Sequence, residues 1–430
     1  MSDPIKNPWS RRMFIQQGVT LASLAATTPL FIQQTAKGVM LPQGSGLTSI
    51  PGMPQDRILV IVQLGGGNDG LNTVVPYGSP DYYRLRPGLG IAAPGRNAEA
   101  ALQLSQGQGI GLHPAMAGLK SLMDDGVASI VQGVGYPNPN RSHFSSMDIW
   151  HTASPDGRRG SGWVGRYFDN ECAGAPNPEI GIAVGREAPL AMQGDTVMPV
   201  SFESADLYRW MGEDLDKQLS DPYSKIADDQ QDQEAVDQLS FLKRTTMDAQ
   251  ISSKKVRHAV SQQPLVAYPG GNLSNQLQMI AAMIRSEMPT RVYYATMGGF
   301  DTHANQAGQH TRLLQQVGDS LKSFYGDIKA QGNSGRVLTM VFSEFGRRVA
   351  QNASGGTDHG TAAPMYFVGD MINPGLHGTH PSLTNLDGGD LKFTQDFRSV
   401  YAGVLGDWMA TDSGQVLGRK WKSAPVIKTS

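Results

Sequence analysis

The sequence predicts an α/β protein with a doubly wound, mostly parallel sheet and helices on both faces. Residues 57–64 and 337–342 are predominantly apolar and rich in β-branched side chains, as expected for strands that are buried on both faces. Between residues 274 and 346 the patterns alternate helix, strand, helix, strand, which is the order of a parallel sheet. Polar residues directly follow several predicted strands, at the edge where open α/β sheets bind ligands.

Composition excludes some classes of protein. A chain of 430 residues can bury a large core, as one large domain or two smaller ones. The net charge of -2 gives no electrostatic case for nucleic-acid binding. With one cysteine, Cys172, no intrachain disulfide can form. The 51 glycines among 430 residues are a larger share than the usual value of about 7%. They favour many tight turns.

The N-terminus, residues 1–36, is predicted to be an export signal. Ser10–Gln16 (SRRMFIQ) resembles a twin-arginine motif, and a moderately apolar stretch follows it. That stretch is too short and too polar to predict a stable membrane span. We therefore expect the twin-arginine translocase as a partner during export and a periplasmic or extracellular location. Residues 37–56 are predicted to be a linker.

The first predicted strand runs into a glycine-rich turn that carries Asp69 and Asn72. The turn formally matches G-x-G-x-x-G, but a dinucleotide-binding motif should open a helix, and Pro76 blocks one here. The glycines instead allow the backbone to bend closely around a ligand beside Asp69. Asp69 either contributes to a ligand site or caps local amides.

The second predicted strand, residues 127–134, leads into a proline-stiffened loop and a helix near residue 145. Ser142 is expected at or near the helix N-terminus, where backbone N–H groups favour an anion. A serine there either caps the helix or acts as a nucleophile that a metal or base activates. His143 is adjacent, and Arg141 is a candidate contact for an anionic substrate.

Two further strands end in possible metal ligands. Asp301 and His303 follow the predicted strand 291–296; they suit a Zn- or Mn-like ion, or Asp301 orients His303 as a general base. Glu344 follows the strand 337–342, and Asp358 with His359 lies in the next glycine-rich turn, placed to hold a metal or move a proton. Alternatively, the Glu344 carboxylate caps a backbone group or forms a salt bridge.

The remaining chain is predicted as follows. The main domain spans residues 57–412, and its polar segment 196–263 is expected to be a helical insertion or lid. Apolar spacing predicts helices from residue 274 and over 314–328 and 400–408, with a short strand at 365–369. Residues 413–430 are expected to form a tail.

Four motifs together resemble the bacterial DUF1501 family of exported proteins. They are LGGGNDGLNTVVPYGSPDYYRLRP, NRSHFSSMDIW, GGFDTHANQAGQH and SEFGRRVAQNASGGTDHG. The resemblance covers about residues 57–409 and implies membership of the alkaline phosphatase and sulfatase superfamily. It therefore implies an alkaline phosphatase-like sheet and a two-metal site that hydrolyses phosphate or sulfate esters.

The resemblance also implies roles for individual residues. Ser142 resembles the nucleophile, with His143 beside it as a second catalytic candidate, and Arg141, Arg347 and Asn72 are candidate substrate contacts. The sequence departs from the superfamily pattern in two places: Asp301 and His303 are two positions apart rather than four, and Phe345 stands where a metal-binding histidine is expected. The residues expected to hold a divalent ion (Zn, Mn, Mg or Ca) are Asp69, Asp301, His303, Glu344, Asp358 and His359.

Two functions from different classes fit these patterns. The first is an exported, metal-dependent hydrolase of phosphate or sulfate esters that uses Ser142 as its nucleophile. The second is an envelope binding or assembly protein that keeps the hydrolase fold without its chemistry. Phe345 and the short Asp301–His303 spacing motivate the second. We expect them to differ in metal content and in their response to Ser142→Ala.

Overall fold

The computed structural model describes residues 56–104, 109–157, 160–171, 177–203 and 254–428. The predicted export signal, most of the predicted linker and most of the polar segment 196–263 lie outside these residues. Among the described residues, no helix combines the length and apolarity needed to cross a membrane.

The strands are short and are spread along the whole described chain. In chain order they are β1 (Ile58–Leu64), β2 (Val74–Val75), β3 (Leu102–Gln103), β4 (Gly111–Leu112), β5 (Ala128–Gly135), β6 (Gly181–Val184), β7 (Val200–Phe202), β8 (Val292–Met297), β9 (Val337–Ser343), β10 (Ala363–Val368), β11 (Gly375–His377), β12 (Leu386–Asp387), β13 (Asp390–Leu391) and β14 (Gln395–Asp396).

The α-helices are α1 (Gly70–Thr73), α2 (Pro80–Leu85), α3 (Ala117–Asp124), α4 (His143–Thr152), α5 (Trp163–Glu171), α6 (Asn272–Arg285), α7 (Gln306–Ala330), α8 (Phe397–Gly403) and α9 (Ser413–Leu417). Residues 254–260 are also helical, and a π-helical turn, Val404–Trp408, continues α8.

The central sheet has nine strands among the described residues, in the order β11-β5-β10-β9-β1-β8-β6-β7, with β14 also paired to β5. β1 is parallel to β8 and β9, and β6 is parallel to β7 and β8. β10 is antiparallel to β5 and β9. The sheet is therefore mostly parallel, and β1, β5, β8 and β9 all end at the same edge.

Two hydrophobic cores lie on opposite faces of the sheet, as a doubly wound fold requires. Along β1, Val60 and Val62 belong to one core and Leu59 and Ile61 to the other. Side chains of α3, α6 and α7 fill the first core, and those of α4, α5 and α8 fill the second. Burying each large apolar side chain contributes about 1.5–3 kcal/mol, so the continuous apolar strands fold only between two helical layers.

Two expected boundaries were wrong. β7, expected to begin a polar insertion, pairs in parallel with β6 inside the central sheet. Residues 413–430, expected to be a tail, include α9, and Val416, Val426 and Ile427 are buried in the core of the second face. Isolated apolar residues among polar ones carried too weak a periodicity to show that they pack against the domain.

Helices α3 and α7 approach each other closely at Gly118, and this contact provides a test of the packing. A Cβ at residue 118 would lie 2.3 Å from the carbonyl oxygen of Gly318. We expect Gly118→Ala to lower the free energy of unfolding by about 1–3 kcal/mol because the backbones must separate. Chemical denaturation measures this loss.

Gly308→Ala in α7 is the matched control, because a Cβ there would meet only the tip of Arg312 at 3.8 Å. Since alanine favours helix over glycine, this variant should be neutral or more stable by up to about 1 kcal/mol. Equal stability of the Gly118 variant and the wild type would contradict the close approach of the two helices.

Candidate functional site

The loops after β1, β5, β8 and β9 meet at the carboxyl edge of the sheet and bring polar side chains together. Asp301 and His303 follow β8, and Glu344 follows β9 directly. His143 opens α4, which follows β5. His359 reaches the same place through a β-bridge with Arg347. The parallel sheet therefore gathers residues that are more than 200 positions apart.

Asp301 lies at the centre of this cluster. Its Oδ1 is 2.9 Å from Nε2 of His303 and 3.0 Å from Nε2 of His359, and its Oδ2 is 3.5 Å from Nε2 of His143. Donor atoms of His143, Asp301 and His359 all lie within 4.8 Å of one another. We call Asp301 and these three histidines the His–Asp cluster.

The other ring nitrogen of each histidine is held by a hydrogen-bond acceptor. Nδ1 of His143 is 2.8 Å from Glu344 Oε1, and Nδ1 of His303 is 3.3 Å from Asp358 Oδ1. Nδ1 of His359 is 2.8 Å from the carbonyl oxygen of Arg141. Since carbonyls and ionised carboxylates only accept, each Nδ1 carries the proton and each neutral ring keeps its lone pair on Nε2.

These hydrogen bonds direct the Nε2 lone pairs toward one another. The Nε2 atoms of His303 and His359 are only 2.9 Å apart, and Nε2 of His143 is buried without a hydrogen-bond partner. Two facing lone pairs repel unless a proton or a cation lies between them. The cluster is thus arranged to bind positive charge.

The donor set fits a transition metal ion. Neutral imidazole and carboxylate suit zinc and similar ions, and three of the four donors are imidazoles. Acceptors on the far ring nitrogens, as found here, are typical of metal-binding histidines. His143, Asp301 and His359 are therefore the residues whose donor atoms lie close enough together to hold one ion, and His303 adjoins them through Asp301.

Glu344 and Asp358 orient histidines in this arrangement. Glu344 is 1% exposed, and its carboxylate also accepts from the N–H of Gly66 and the hydroxyl of Ser343. Asp358 accepts from the Asn352 amide as well as from His303, and the Asn352 bond is the main cause that lowers the pKa of Asp358. Both had been expected as direct ligands, but their oxygens are directed at Nδ1 protons.

Asp301 carries a negative charge in this setting. Partial burial raises the pKa of Asp301, but the hydrogen bond and charge of Arg347, together with the adjacent His359 and His303 rings, outweigh burial and hold the pKa well below its usual value. The guanidinium of Arg347 donates to Asp301 Oδ1 at 2.6 Å. Oδ2, on the His143 side, is the oxygen that remains open to a bound ion.

Arg347 is not available as the substrate contact that the sequence suggested. Its side chain is fully buried and donates to the carbonyl oxygens of Gly66, Gly67, Phe300 and Thr357 in addition to Asp301. These bonds join the loops after β1, β8 and β9. Arg347 therefore fixes the site and places a positive charge beside Asp301.

Asp69 and Asn72 also differ from expectation. Asp69 is fully buried and forms an ion pair with Arg86 at 2.5 Å; it also accepts from Gln306 and caps α1 through the N–H of Asn72. Asn72 donates to Leu89 and accepts from Tyr82 and Arg86. Both are enclosed, so neither is placed to contact an ion or a substrate.

Sequence reasoning missed Arg86 as the partner of Asp69. The only available signal was its place in the YRLRP segment of the first motif, and no local spacing links it to Asp69. Burial raises the pKa of Asp69, but the Arg86 charge and hydrogen bond more than reverse this, so the pKa stays below its usual value.

Ser142 lies at the N-cap of α4, and its side chain makes no capping hydrogen bond. The residue is exposed, and its N–H donates to Asn140 Oδ1 at 2.8 Å. Its neighbours on both sides contact the cluster: the carbonyl of Arg141 binds His359, and His143 belongs to the cluster itself. Ser142 therefore lies between two residues that contact the His–Asp cluster, and its hydroxyl is not engaged in capping α4.

Phe345 packs against two of the histidines. Its ring centroid is 4.9 Å from that of His143 and 5.0 Å from that of His359. The resemblance implies a metal-binding histidine at this position, and here His143 brings an imidazole to the phenyl ring from a different loop. The sequence had suggested His143 only as a catalytic neighbour of Ser142.

The fold and the site define a mostly parallel α/β protein with a histidine–aspartate cluster suited to a metal ion. The chain belongs to the DUF1501 family, which is described as a protein family of unknown function and is matched over residues 56–417. This confirms the resemblance seen in the four motifs. No curated protein matches the chain.

Several solved structures resemble the chain weakly. The PsFucS1 sulfatase from Pseudoalteromonas sp. gives a TM-score of 0.35 at 10% identity, covering 96% of this chain and 72% of its own. The lipoteichoic acid synthase LtaP from Listeria monocytogenes gives 0.34 at 10%, covering 89% and 80%. The C-terminal periplasmic domain of EcEptC from Escherichia coli gives 0.35 at 10%, covering 91% and 95%. Likeness at this level says nothing about chemistry.

The buried Asp69–Arg86 pair should be a major determinant of stability. Asp69→Asn leaves the Arg86 charge buried without its partner, and we expect a loss of about 3–5 kcal/mol in the free energy of unfolding at pH 7. Because the folded-state pKa of Asp69 is lowered, the wild-type contribution is present above about pH 4 and is lost as the pH falls through the folded pKa. Urea denaturation at several pH values measures both effects.

Asp81→Asn is the matched control, since the Asp81–Arg84 pair has the same chemistry on an exposed surface. That variant should lose at most about 1 kcal/mol. Similar losses for the two variants would show that burial does not set the importance of the Asp69 pair.

Proposed function

We propose that the protein is an exported, metal-dependent hydrolase of phosphate or sulfate esters in which Ser142 is the nucleophile. One observation carries the proposal: His143 and His359, each held through Nδ1, bring Nε2 close to the Asp301 carboxylate, with His303 beside them and the exposed Ser142 directly before His143. The twin-arginine motif at Ser10–Gln16 supports export to the periplasm or beyond.

His143, Asp301, His303 and His359 would hold the ion. A divalent ion bound there would supply positive charge that draws in an anionic ester and lowers the pKa of a nearby hydroxyl. Glu344 and Asp358 keep the histidine rings in the binding tautomer. Arg347 keeps Asp301 ionised and joins the loops that carry the cluster.

The exposure of Ser142 and its position at a helix N-terminus support the role of nucleophile. Asn140 fixes its backbone, and the N-terminus of the ten-residue helix α4 favours an anion beside it. In the proposed reaction, Ser142 Oγ bonds to the phosphorus or sulfur atom and loses its proton. The bond to the departing alcohol breaks, and the alcohol oxygen takes up a proton.

Hydrolysis of the Ser142 ester completes the cycle. Water attacks the phosphorus or sulfur atom, the bond to Ser142 Oγ breaks, and the serine hydroxyl and inorganic phosphate or sulfate are released. The side chain of Arg141 is 46% exposed, so its guanidinium is accessible to the anionic group. This retains Arg141 as a substrate-binding residue.

Ser142→Ala tests the nucleophile directly. We expect kcat for an aryl phosphate or aryl sulfate to fall by at least about 10³-fold, because the variant lacks the attacking oxygen. Bound metal, measured by mass spectrometry of purified protein, should not change. The matched control is Ser145→Ala, one turn into α4, whose serine is also exposed.

Metal-free protein with no turnover, and no difference between Ser142→Ala and wild type, would contradict the proposal. That result would instead favour the envelope binding or assembly protein that keeps the fold without its chemistry. Turnover that survives in Ser142→Ala with metal present would retain a hydrolase but exclude this nucleophile.

Glu344→Gln tests whether the metal-binding role depends on the buried carboxylate behind His143. The variant keeps the side-chain shape but removes the charge that holds the Nδ1 proton, so we expect affinity for Zn²⁺ or Mn²⁺ to fall about 10- to 100-fold. Competition titration with a metal-sensitive dye measures this. Glu187→Gln, at an exposed position, serves as the control and should match the wild type.

A further inference from the structure

A wide groove opens beside the His–Asp cluster, and Arg141 is the one of its lining residues that the proposed reaction uses. Its volume is about 800 Å³, within the range of about 300–1,000 Å³ found for pockets that hold drug-sized ligands. Its walls come from the loop after β5, from Phe345 and from the segment around β12 and β13. It is far larger than a phosphate or sulfate group requires.

Two residues join the groove to the cluster. Phe345 lines the groove, and its ring packs against His143 and His359. Arg141 also lines the groove; its carbonyl binds His359 and its guanidinium pairs with Asp390. A group attached to an ester bound at the cluster can therefore extend into the groove.

Asp390 gives the groove an unused hydrogen-bond acceptor. Its side chain is 1% exposed and lines the groove. Oδ2 pairs with Arg141, whereas Oδ1 has no hydrogen-bond partner and lies 3.6 Å from Nε of Arg348, beyond hydrogen-bond reach. A buried carboxylate oxygen without a donor is costly, so a hydroxyl from a ligand would satisfy it.

The other groove walls combine polar and aromatic groups. Asn138 and Asp387 add amide and carboxylate groups, and the ring of Phe393 is 37% exposed at the groove wall. Hydroxyl-binding groups beside an exposed aromatic face match a ligand that has many hydroxyls and an apolar C–H face. A saccharide has both.

We propose that the groove binds the saccharide portion of the substrate, with Asp390 accepting a hydroxyl and Phe393 packing on a sugar ring. The assignment of this saccharide as the alcohol of the ester rests on the proposed hydrolase function. Binding of the saccharide to the groove does not depend on turnover, so the two can be tested separately.

The test measures binding of neutral, sulfated and phosphorylated hexasaccharides to the full chain by calorimetry. At least one of them should bind. Phe393→Ala should lower the affinity for that hexasaccharide about threefold to tenfold, as expected for loss of an aromatic packing partner. Inorganic phosphate affinity should not change, because Phe393 is not part of the cluster. Leu265→Ala, which removes an exposed apolar side chain that does not line this groove, is the control.

Asp387→Ala is a second variant, which removes a groove carboxylate at an exposed position. It should lower the affinity for the same hexasaccharide. Failure of all hexasaccharides to bind, or equal affinity of wild type and both variants, overturns the proposal. Hexasaccharide binding without any ester turnover would support saccharide binding in the groove and contradict the hydrolase function. Turnover of aryl esters without hexasaccharide binding would support the hydrolase function and contradict saccharide binding in the groove.

Discussion

Three hydrogen bonds to histidine Nδ1 atoms determine the character of the site. An imidazole can rotate and exchange tautomers, but Glu344, Asp358 and the carbonyl of Arg141 each fix one ring and one proton position. The Nε2 lone pairs then face inward beside Asp301. Such an arrangement of donors is unfavourable without a positive charge in it, and the rest of the site can be understood from that requirement.

The protein supplies part of the positive charge itself. Arg347 lies fully buried against Asp301, and Arg86 lies fully buried against Asp69. The sequence predicted both Asp69 and Asp301 as ligands of a metal ion. Here the Arg86 guanidinium neutralises Asp69 and the Arg347 guanidinium supports Asp301, so the remaining donors form one histidine-rich cluster.

Arg141 and Phe345 line the groove and also contact histidines of the cluster. These two residues connect ligand binding in the groove to the proposed reaction at the cluster. Asp390 holds the Arg141 side chain while the Arg141 carbonyl holds His359. A ligand that contacts Asp390 is therefore one residue away from the group that orients a cluster histidine. Phe345 has the same double position, with one side toward the groove and its ring against His143 and His359.

The sequence by itself determined the α/β class, the main strands and helices, and the loops that carry the site. Apolar runs such as Val337–Phe342 predict an α/β fold because such strands must be covered on both faces. Polar residues that follow parallel strands must lie at the same edge of the sheet. The amino-acid pattern also identified Asp301, His303 and His359, which the structure brings together. It could not assign the segments around β7 and α9, where short apolar patterns gave no periodicity.

Only the tertiary structure determined the role of each carboxylate. Asp69, Asp301, Glu344 and Asp358 have similar local contexts in the sequence, each near a glycine-rich turn after a strand. Their surroundings differ because their partners come from distant parts of the chain: Arg86 for Asp69, Arg347 for Asp301, His143 for Glu344 and His303 for Asp358. The role of a carboxylate depends on the charge and protons within about 4 Å of it, and that distance is set by folding rather than by spacing along the chain.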